Sequence, residues 1–248
     1  MMLMEKYSEL SGLGLNFRDD VKARDVLEGL LVSSDFGILR KLFRGRIVFV
    51  FGCGPSLESD LRRVKKSCLL SGVVVVAVDG AVKALLKHGV VPNVCVSDLD
   101  GDLRSLKTAC RIGCVLVVHG HGDNIGRLRS VVPNLSGKVL GTTQVKPTRK
   151  IKNFGGFTDG DRAVHLAAHY KPKAVILLGM DFGNRIGKYS GRKNKKAKIT
   201  KLKVGKKLLE QLAGTARVRI LNATSAGEPI KGIPHLGLEQ LMSVCKSK

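Results

Sequence analysis

Residues 73–102 read VVVVAVDGAVKALLKHGVVPNVCVSDLDGD, and this stretch decides the fold. A short apolar run rich in β-branched residues ends on Asp79, a helical pattern follows, and a second strand-like run ends on Ser97-Asp98-Leu99-Asp100-Gly101. Acidic residues therefore gather at consecutive strand ends, and in an open α/β sheet that edge is where ligands bind.

The spacing of these aspartates has a chemical reading and a structural one. In an extended segment Asp98 and Asp100, two residues apart, project to one side, and with Asp79 from the neighbouring strand they could surround a hard cation such as Mg²⁺, which in turn carries phosphate. The same residues could serve shape alone, with Asp79 capping the helix from Ala81, Asp102 capping the helix from Leu103, and Asp100-Gly101 forming a turn. Asp102 is read as a cap; Asp98 and Asp100 are read as metal ligands.

Upstream, Ile47–Phe51 is an unbroken apolar strand of the kind buried on both faces of a parallel sheet. It runs into Gly52-Cys53-Gly54-Pro55-Ser56-Leu57, where glycines let the backbone approach a phosphate and the next helix offers free N–H groups. Neither a Walker loop nor GxGxxG is present, and a plain tight turn explains the segment equally well. Before it, residues 1–45 form a helical N-terminal segment packed on the core, by the periodicity of Leu27, Leu30 and Leu31 and of Ile38, Leu39 and Leu42, interrupted at Gly12, Gly14 and Gly37. Residues 46–248 make up the α/β domain.

Downstream, Cys114–Val118 is another buried strand, ending on His119-Gly120-His121-Gly122-Asp123-Asn124. Two glycines would have turned the chain, so the polar residues between them suggest a site. No third nitrogen or sulfur ligand accompanies the histidines, which argues against structural zinc. Asp123 and Asn124 are preferred as partners of Mg²⁺ or of a substrate hydroxyl, with a helix cap before Ile125 as the alternative. Lys138–Thr143 is a short strand, Thr158 and Asp159 open a helix through His169-Tyr170, and Lys173–Leu178 is a strand closed by Gly179-Met180-Asp181. His165 and His169 repeat one helix face and are read as packing. From Arg185 to Lys207 there are eleven Lys/Arg and no acidic residue. This run is either a lid over phosphates, with Lys188 and Arg192 among its contacts, or a solvated mobile face. A helix through Leu208–Leu212, a strand at Val218–Leu221 and a C-terminal helix around Leu238–Val244 follow, without internal repeats.

Composition bounds the rest. The chain has 248 residues, 44% hydrophobic, enough for a full core. Lys and Arg number 43 against 20 Asp and Glu, a formal charge of +23 that draws polyanions. Nucleic acid is the weaker candidate, because aromatic content is 4% and no RNP, KH or helix-turn-helix pattern supplies a reading device. Six cysteines without CxxC spacing read as buried thiols of a reducing compartment. No apolar run follows Met1–Met4 before Glu5 and none reaches membrane-spanning length, so the expectation is a cytoplasmic protein with no membrane contact; a homo-oligomer is compatible with the sequence.

As an ordered set, GPSL, VDGA, PNVCVSDLDGD, HGHGDN, GFTDGDRA, LLGMDFG with IGKYSG, and NATS with GIP resemble the archaeal 6-hydroxymethyl-7,8-dihydropterin pyrophosphokinase family over residues 46 to 240. More distantly, DGA, SDLDG and TDGDRAV resemble thiamine pyrophosphokinase, with Ser97 standing where those enzymes usually carry glycine. The strand pattern predicts a Rossmann-like α/β core of about five to seven mostly parallel strands with helices on both faces, and the resemblance implies a thiamine-pyrophosphokinase-like catalytic core and transfer of a diphosphoryl group from ATP to the hydroxymethyl of a reduced pterin, releasing AMP, in tetrahydromethanopterin or folate-type cofactor synthesis. It makes Asp98, Asp100 and Asp159 the candidates for metal and phosphate work and adds Asp123 as a catalytic candidate. Gly52, Gly54, Pro55, Ser56, Asp79, Thr158, Lys188 and Arg192 are then expected at ATP, and His119, His121 and Asn124 at the pterin. Two other readings share these motifs: thiamine as the acceptor, and, because GPSL and NATS also resemble bacterial flagellin-modifying motility accessory proteins, a nucleotide-sugar glycosyltransferase.

Overall fold

Strands too apolar to face water on either side dictate a sheet covered on both faces. The structure, a computed structural model, describes residues 16–32, 34–191 and 194–246. In chain order it comprises α1 (Phe17–Leu30), α2 (Gly37–Phe43), β1 (Ile47–Phe51), α3 (Leu57–Lys66), β2 (Val74–Val78), α4 (Ala81–Lys87), β3 (Val94–Ser97), α5 (Leu103–Arg111), β4 (Val115–Gly120), α6 (Ile125–Val131), β5 (Val139–Thr143), β6 (Ile151–Lys152), α7 (Asp159–His169), β7 (Ala174–Leu178), α8 (Lys195–Thr215), β8 (Arg219–Asn222) and α9 (Leu238–Lys246). All eight strands are parallel, in the order β6-β5-β4-β3-β2-β1-β7-β8.

Alternation along β1 shows how the faces are filled. Phe49 and Phe51 point into a layer with Leu57, Leu61 and Val64 of α3 and Ala23 and Leu27 of α1, while Val48 and Val50 point into a layer with Leu39 and Phe43 of α2, Ala163, Val164, Leu166 and Ala167 of α7 and Leu209 of α8. Phe49 is fully buried, and truncating such a side chain costs about 3–5 kcal/mol. The chain steps from β1 outward to β6, then returns by α7 to lay β7 on the other side of β1. That reversal makes a switch point between β1 and β7, and a crevice opens beyond their carboxyl ends.

The fold is the α/β class expected, with differences of detail. The sheet has eight strands rather than five to seven, because the edge pair Ile151–Lys152 is too short to carry a pattern. Residues 16–45 pack on the core, in line with the expectation: α1 packs on β4, β5, β6 and α6, and Ala23 and Leu27 are fully buried. The earlier part of that segment lies outside the described residues. The basic run is not one loop either, since α8 begins at Lys195 rather than near Leu208. Among the described residues no helix is long and apolar enough to cross a membrane.

Candidate active site

Tight local hydrogen bonding at the carboxyl edge aims the acidic side chains. Asp79 leaves β2 in a left-handed conformation, φ 40°, held by its N–H to Val96 O at 2.8 Å. Ser97 Oγ, at the end of β3, donates to Asp79 Oδ1 at 2.6 Å and accepts from Leu99 N at 2.9 Å. Leu99 is also left-handed, φ 66°, so the chain turns between Asp98 and Asp100 and the extended geometry expected for the pair does not hold. Asp98 Oδ1 instead accepts from Asp100 N at 3.0 Å. On the far side of the crevice Thr158 and Asp161 form a capping box at the start of α7, which fixes Asp159 in the first helical turn.

Asp79, Asp98 and Asp159 thereby each present an oxygen within 4.8 Å of one another, and Asp100 stands outside that trio although it lines the same cavity. Gathering like charges has a cost. Burial, then the charge of Asp98, pushes Asp79 up to about 7 against the pull of the Ser97 hydroxyl, and burial followed by Asp98 and Asp79 pushes Asp159 well up. Arg162 is the internal counter-charge: buried in α7, its guanidinium donates to Phe157 O at 2.9 Å while its Nε has no partner. Three carboxylate oxygens that repel one another are the donor set a hard divalent cation takes. The geometric trio joins Asp79, read from the sequence beside Asp98 and Asp100, with Asp159, which the resemblance supplied, and leaves Asp100 outside.

The His-Gly-His-Gly-Asp-Asn turn after β4 forms a neighbouring wall. His121 Nε2 lies 3.2 Å from Asp98 Oδ2, and its Nδ1 accepts from Asp123 N at 3.4 Å. His119 stacks 6.0 Å from His121 and sits with Nδ1 3.2 Å from Thr142 Oγ1. Both histidines and Asp123 line the cavity, Asp123 at its exposed rim. Asn124 does not face it. Its Nδ2 donates to Asp98 O and His119 O, each at 2.7 Å, and its Oδ1 accepts from His121 N at 3.1 Å, so its amide is spent on holding the two loops together. From α1, Asp20 accepts from Gly122 N at 2.7 Å and from Gln144 Nε2 at 2.6 Å, pinning the same turn.

The glycine turn after β1 departs from the phosphate loop expected there. Gly52 and Gly54 line the cavity, where a Cβ on Gly54 would overlap the Asp181 carboxylate. Pro55 is exposed and Ser56 is buried elsewhere: Ser56 N and Oγ both donate to Asp181 Oδ2, at 3.2 and 2.7 Å, and Ser56 Oγ is 2.9 Å from Asp60 Oδ2. The anion at this helix start is the protein's own Asp181, raised from its ordinary range chiefly by burial.

The basic segment supplies the remaining wall through Arg185 in the loop and Lys198, Lys201 and Leu202 on α8. Lys188 points away. It pairs with Glu58 at 2.8 Å and lies 5.1 Å from the Tyr189 ring centre, and the Lys188 and Tyr189 contacts pull Glu58 down to about 2. Arg192 lies outside the described residues. The cavity of about 520 Å³ is lined by apolar Met180, Phe182 and Ile186 as well as by the trio, a size suited to small ligands. Arg162, Lys198 and Lys201 are the residues that motif reading missed; the lysines were hidden in a uniformly basic run, and nothing in the sequence marks Arg162 as buried.

Residues 27–187 match the profile of the family described as 6-hydroxymethylpterin diphosphokinase MptE-like. A Pyrococcus furiosus protein named 6-hydroxymethyl-7,8-dihydropterin pyrophosphokinase is 41% identical over 218 residues, covering 84% of this chain and 91% of that one. A Methanocaldococcus jannaschii protein of the same name is 38% identical over 230 residues, covering 86% and 94%. Among solved structures, the MAf glycosyltransferase from Magnetospirillum magneticum superposes with a TM-score of 0.55 at 18% identity, over 98% of this chain and 44% of that one. This last likeness is one of fold, and the chain spans less than half the length of that glycosyltransferase.

Proposed function

The chain belongs to the 6-hydroxymethylpterin diphosphokinase MptE-like family, and on that premise we propose that it transfers the diphosphoryl group of ATP to the hydroxymethyl oxygen of 6-hydroxymethyl-7,8-dihydropterin, releasing AMP. The observation that carries this reading is the convergence of Asp79, Asp98 and Asp159 in a cavity that Arg185, Lys198 and Lys201 also line. Mg²⁺ bound by the trio would neutralise the carboxylates and tie them to phosphate oxygens. Diphosphoryl transfer asks the protein for alignment and charge placement rather than a covalent nucleophile. The basic residues of α8 and its preceding loop supply positive charge for the phosphate chain, and Met180, Phe182 and Ile186 add apolar surface for a flat ring. Arg162 is fixed behind Asp159 by its bond to Phe157 O and keeps the trio from being wholly uncompensated before ligands arrive.

The test is AMP formation by purified protein given ATP and Mg²⁺ with the hydroxymethyl-dihydropterin, with thiamine, or with no acceptor. AMP with the pterin alone is the expected result. Equal or greater AMP with thiamine moves the acceptor to thiamine, and none with either refutes the reading.

A further inference from the structure

Gln144 directly follows β5 and lines the cavity, and neither the motifs nor the acidic trio accounts for it. Its amide is held in one orientation by Asp20, which is 1% exposed. Asp20 Oδ1 accepts from Gly122 N at 2.7 Å, and Oδ2 accepts from Gln144 Nε2 at 2.6 Å. A carboxylate has no hydrogen to give, so the amide nitrogen must face Asp20 and the amide oxygen must face away from it. That oxygen makes no hydrogen bond among the described residues and is not enclosed. The backbone beside it is fixed as well: Val145 N donates to Thr143 Oγ1 at 3.3 Å, and Val145 O accepts from Asn153 Nδ2 at 3.0 Å. The half-buried side chain therefore offers a preset acceptor.

Strand order gives this acceptor its place. Along the carboxyl edge Gln144 follows β5, Asp98 follows β3, Asp79 follows β2, and Arg185 lies in the loop that follows β7, on the other side of β1. Positive charge from Arg185 draws the phosphate chain toward β7, which leaves the β5 side of the trio to the acceptor ring. Two strand spacings, roughly 10 Å, separate β5 from β3, a distance that a two-ring pterin with its one-carbon arm can bridge. Resting on the diphosphokinase reading, we propose that Gln144 Oε1 accepts the hydrogen bond of the pterin's 2-amino group, the group farthest from the reacting hydroxymethyl, and that Asp20 is the positioning residue that sets this amide to take a donor and reject an acceptor.

The discriminating pair of compounds is 6-hydroxymethyl-7,8-dihydropterin and 6-hydroxymethyl-7,8-dihydrolumazine, which carries an oxygen in place of the 2-amino group. At saturating ATP and Mg²⁺ the wild-type KM for the lumazine should lie about 10-fold or more above that for the pterin. Gln144→Met removes the amide and should bring the two KM values within about 3-fold of each other. Asp20→Asn is the sharper variant. Its Oδ1 can still accept from Gly122 N, while an amide nitrogen in place of Oδ2 donates to Gln144 Oε1 and turns the Gln144 nitrogen to the ligand, so the preference should reverse in favour of the lumazine. Gln144→Asn, which withdraws the oxygen by one methylene, serves if the other two do not fold, and it too should narrow the ratio. Equal KM values in the wild type, or variants that raise both values together and keep the wild-type ratio, overturn the inference and leave the diphosphokinase reading standing. A wild-type protein that forms no AMP with the pterin overturns that reading and this inference with it.

Discussion

Replacing Asp79 by Asn should make the metal-free protein more stable and the enzyme inactive. Asp79 is 7% exposed and pushed from 3.8 up to about 7, by burial first and the charge of Asp98 second. Between those two values the folded state holds a proton that the unfolded chain has released, so stability falls as pH rises through the window, and the full penalty is present above about 7. The gap corresponds to about 4 kcal/mol as an upper bound, at 1.36 kcal/mol per pH unit. Asparagine removes the charge, can still accept from Ser97 Oγ, and brings an amide N–H to the two remaining carboxylates. With about 2–4 °C per kcal/mol for a chain of this size, Asp79→Asn in EDTA should melt roughly 5–15 °C above wild type at pH 8. At pH 5 only about a third of the gap remains, since the folded wild type is by then protonated. Added Mg²⁺ should raise the wild-type midpoint strongly and the variant's little, because a cation that binds only the folded state stabilises it by mass action. Differential scanning calorimetry at both pH values, with and without Mg²⁺, reads all of this. A variant melting at or below wild type at both pH values, with an equal response to Mg²⁺, would refute the account of the trio.

Asp98→Asn and Asp159→Asn should fold and lose AMP formation by about 100-fold or more; near-normal turnover in either would remove that residue from the metal trio. Lys198→Ala combined with Lys201→Ala should raise the KM for ATP about 10-fold, whereas Lys188→Ala, which breaks only a surface pair with Glu58 worth about 1 kcal/mol or less, should leave ATP kinetics unchanged. Asn124→Ala should lower stability by about 1–3 kcal/mol through the groups left unpaired between the β3 and β4 loops, measured by denaturant unfolding. An unchanged midpoint with a raised KM for the pterin would restore Asn124 to the substrate.

What the sequence determined by itself is the scaffold and the edge that carries the chemistry. Runs such as Ile47–Phe51 and Val74–Val78 are buried on both faces wherever they are placed in the sheet, so their parallel packing follows from composition over five residues. Aspartate at the end of β2 and at the end of β3 reaches the carboxyl edge for the same reason, because strand direction is shared. Asp79, Asp98, Asp100, Asp123 and Asp159 line one cavity.

Tertiary structure decided which of these residues meet, and at which atom. Spacing treated Asp98 and Asp100 as a pair, but the left-handed Leu99 between them turns the chain, and Asp159 arrives from a helix some sixty positions on in the sequence. A backbone dihedral at one residue and a crossover that long leave no local trace. The helix start after Gly54 looked open to phosphate because its partner, Asp181, comes from the loop after β7, on the far side of the switch point. Lys188 and Lys198 are equivalent by composition, and only the winding of α8 and the position of Glu58 send the first to a surface pair and the second to the cavity. Local pattern reports what a segment must bury or cap; the partner of a polar side chain is set by distances through space, and those exist only once the sheet has ordered its strands.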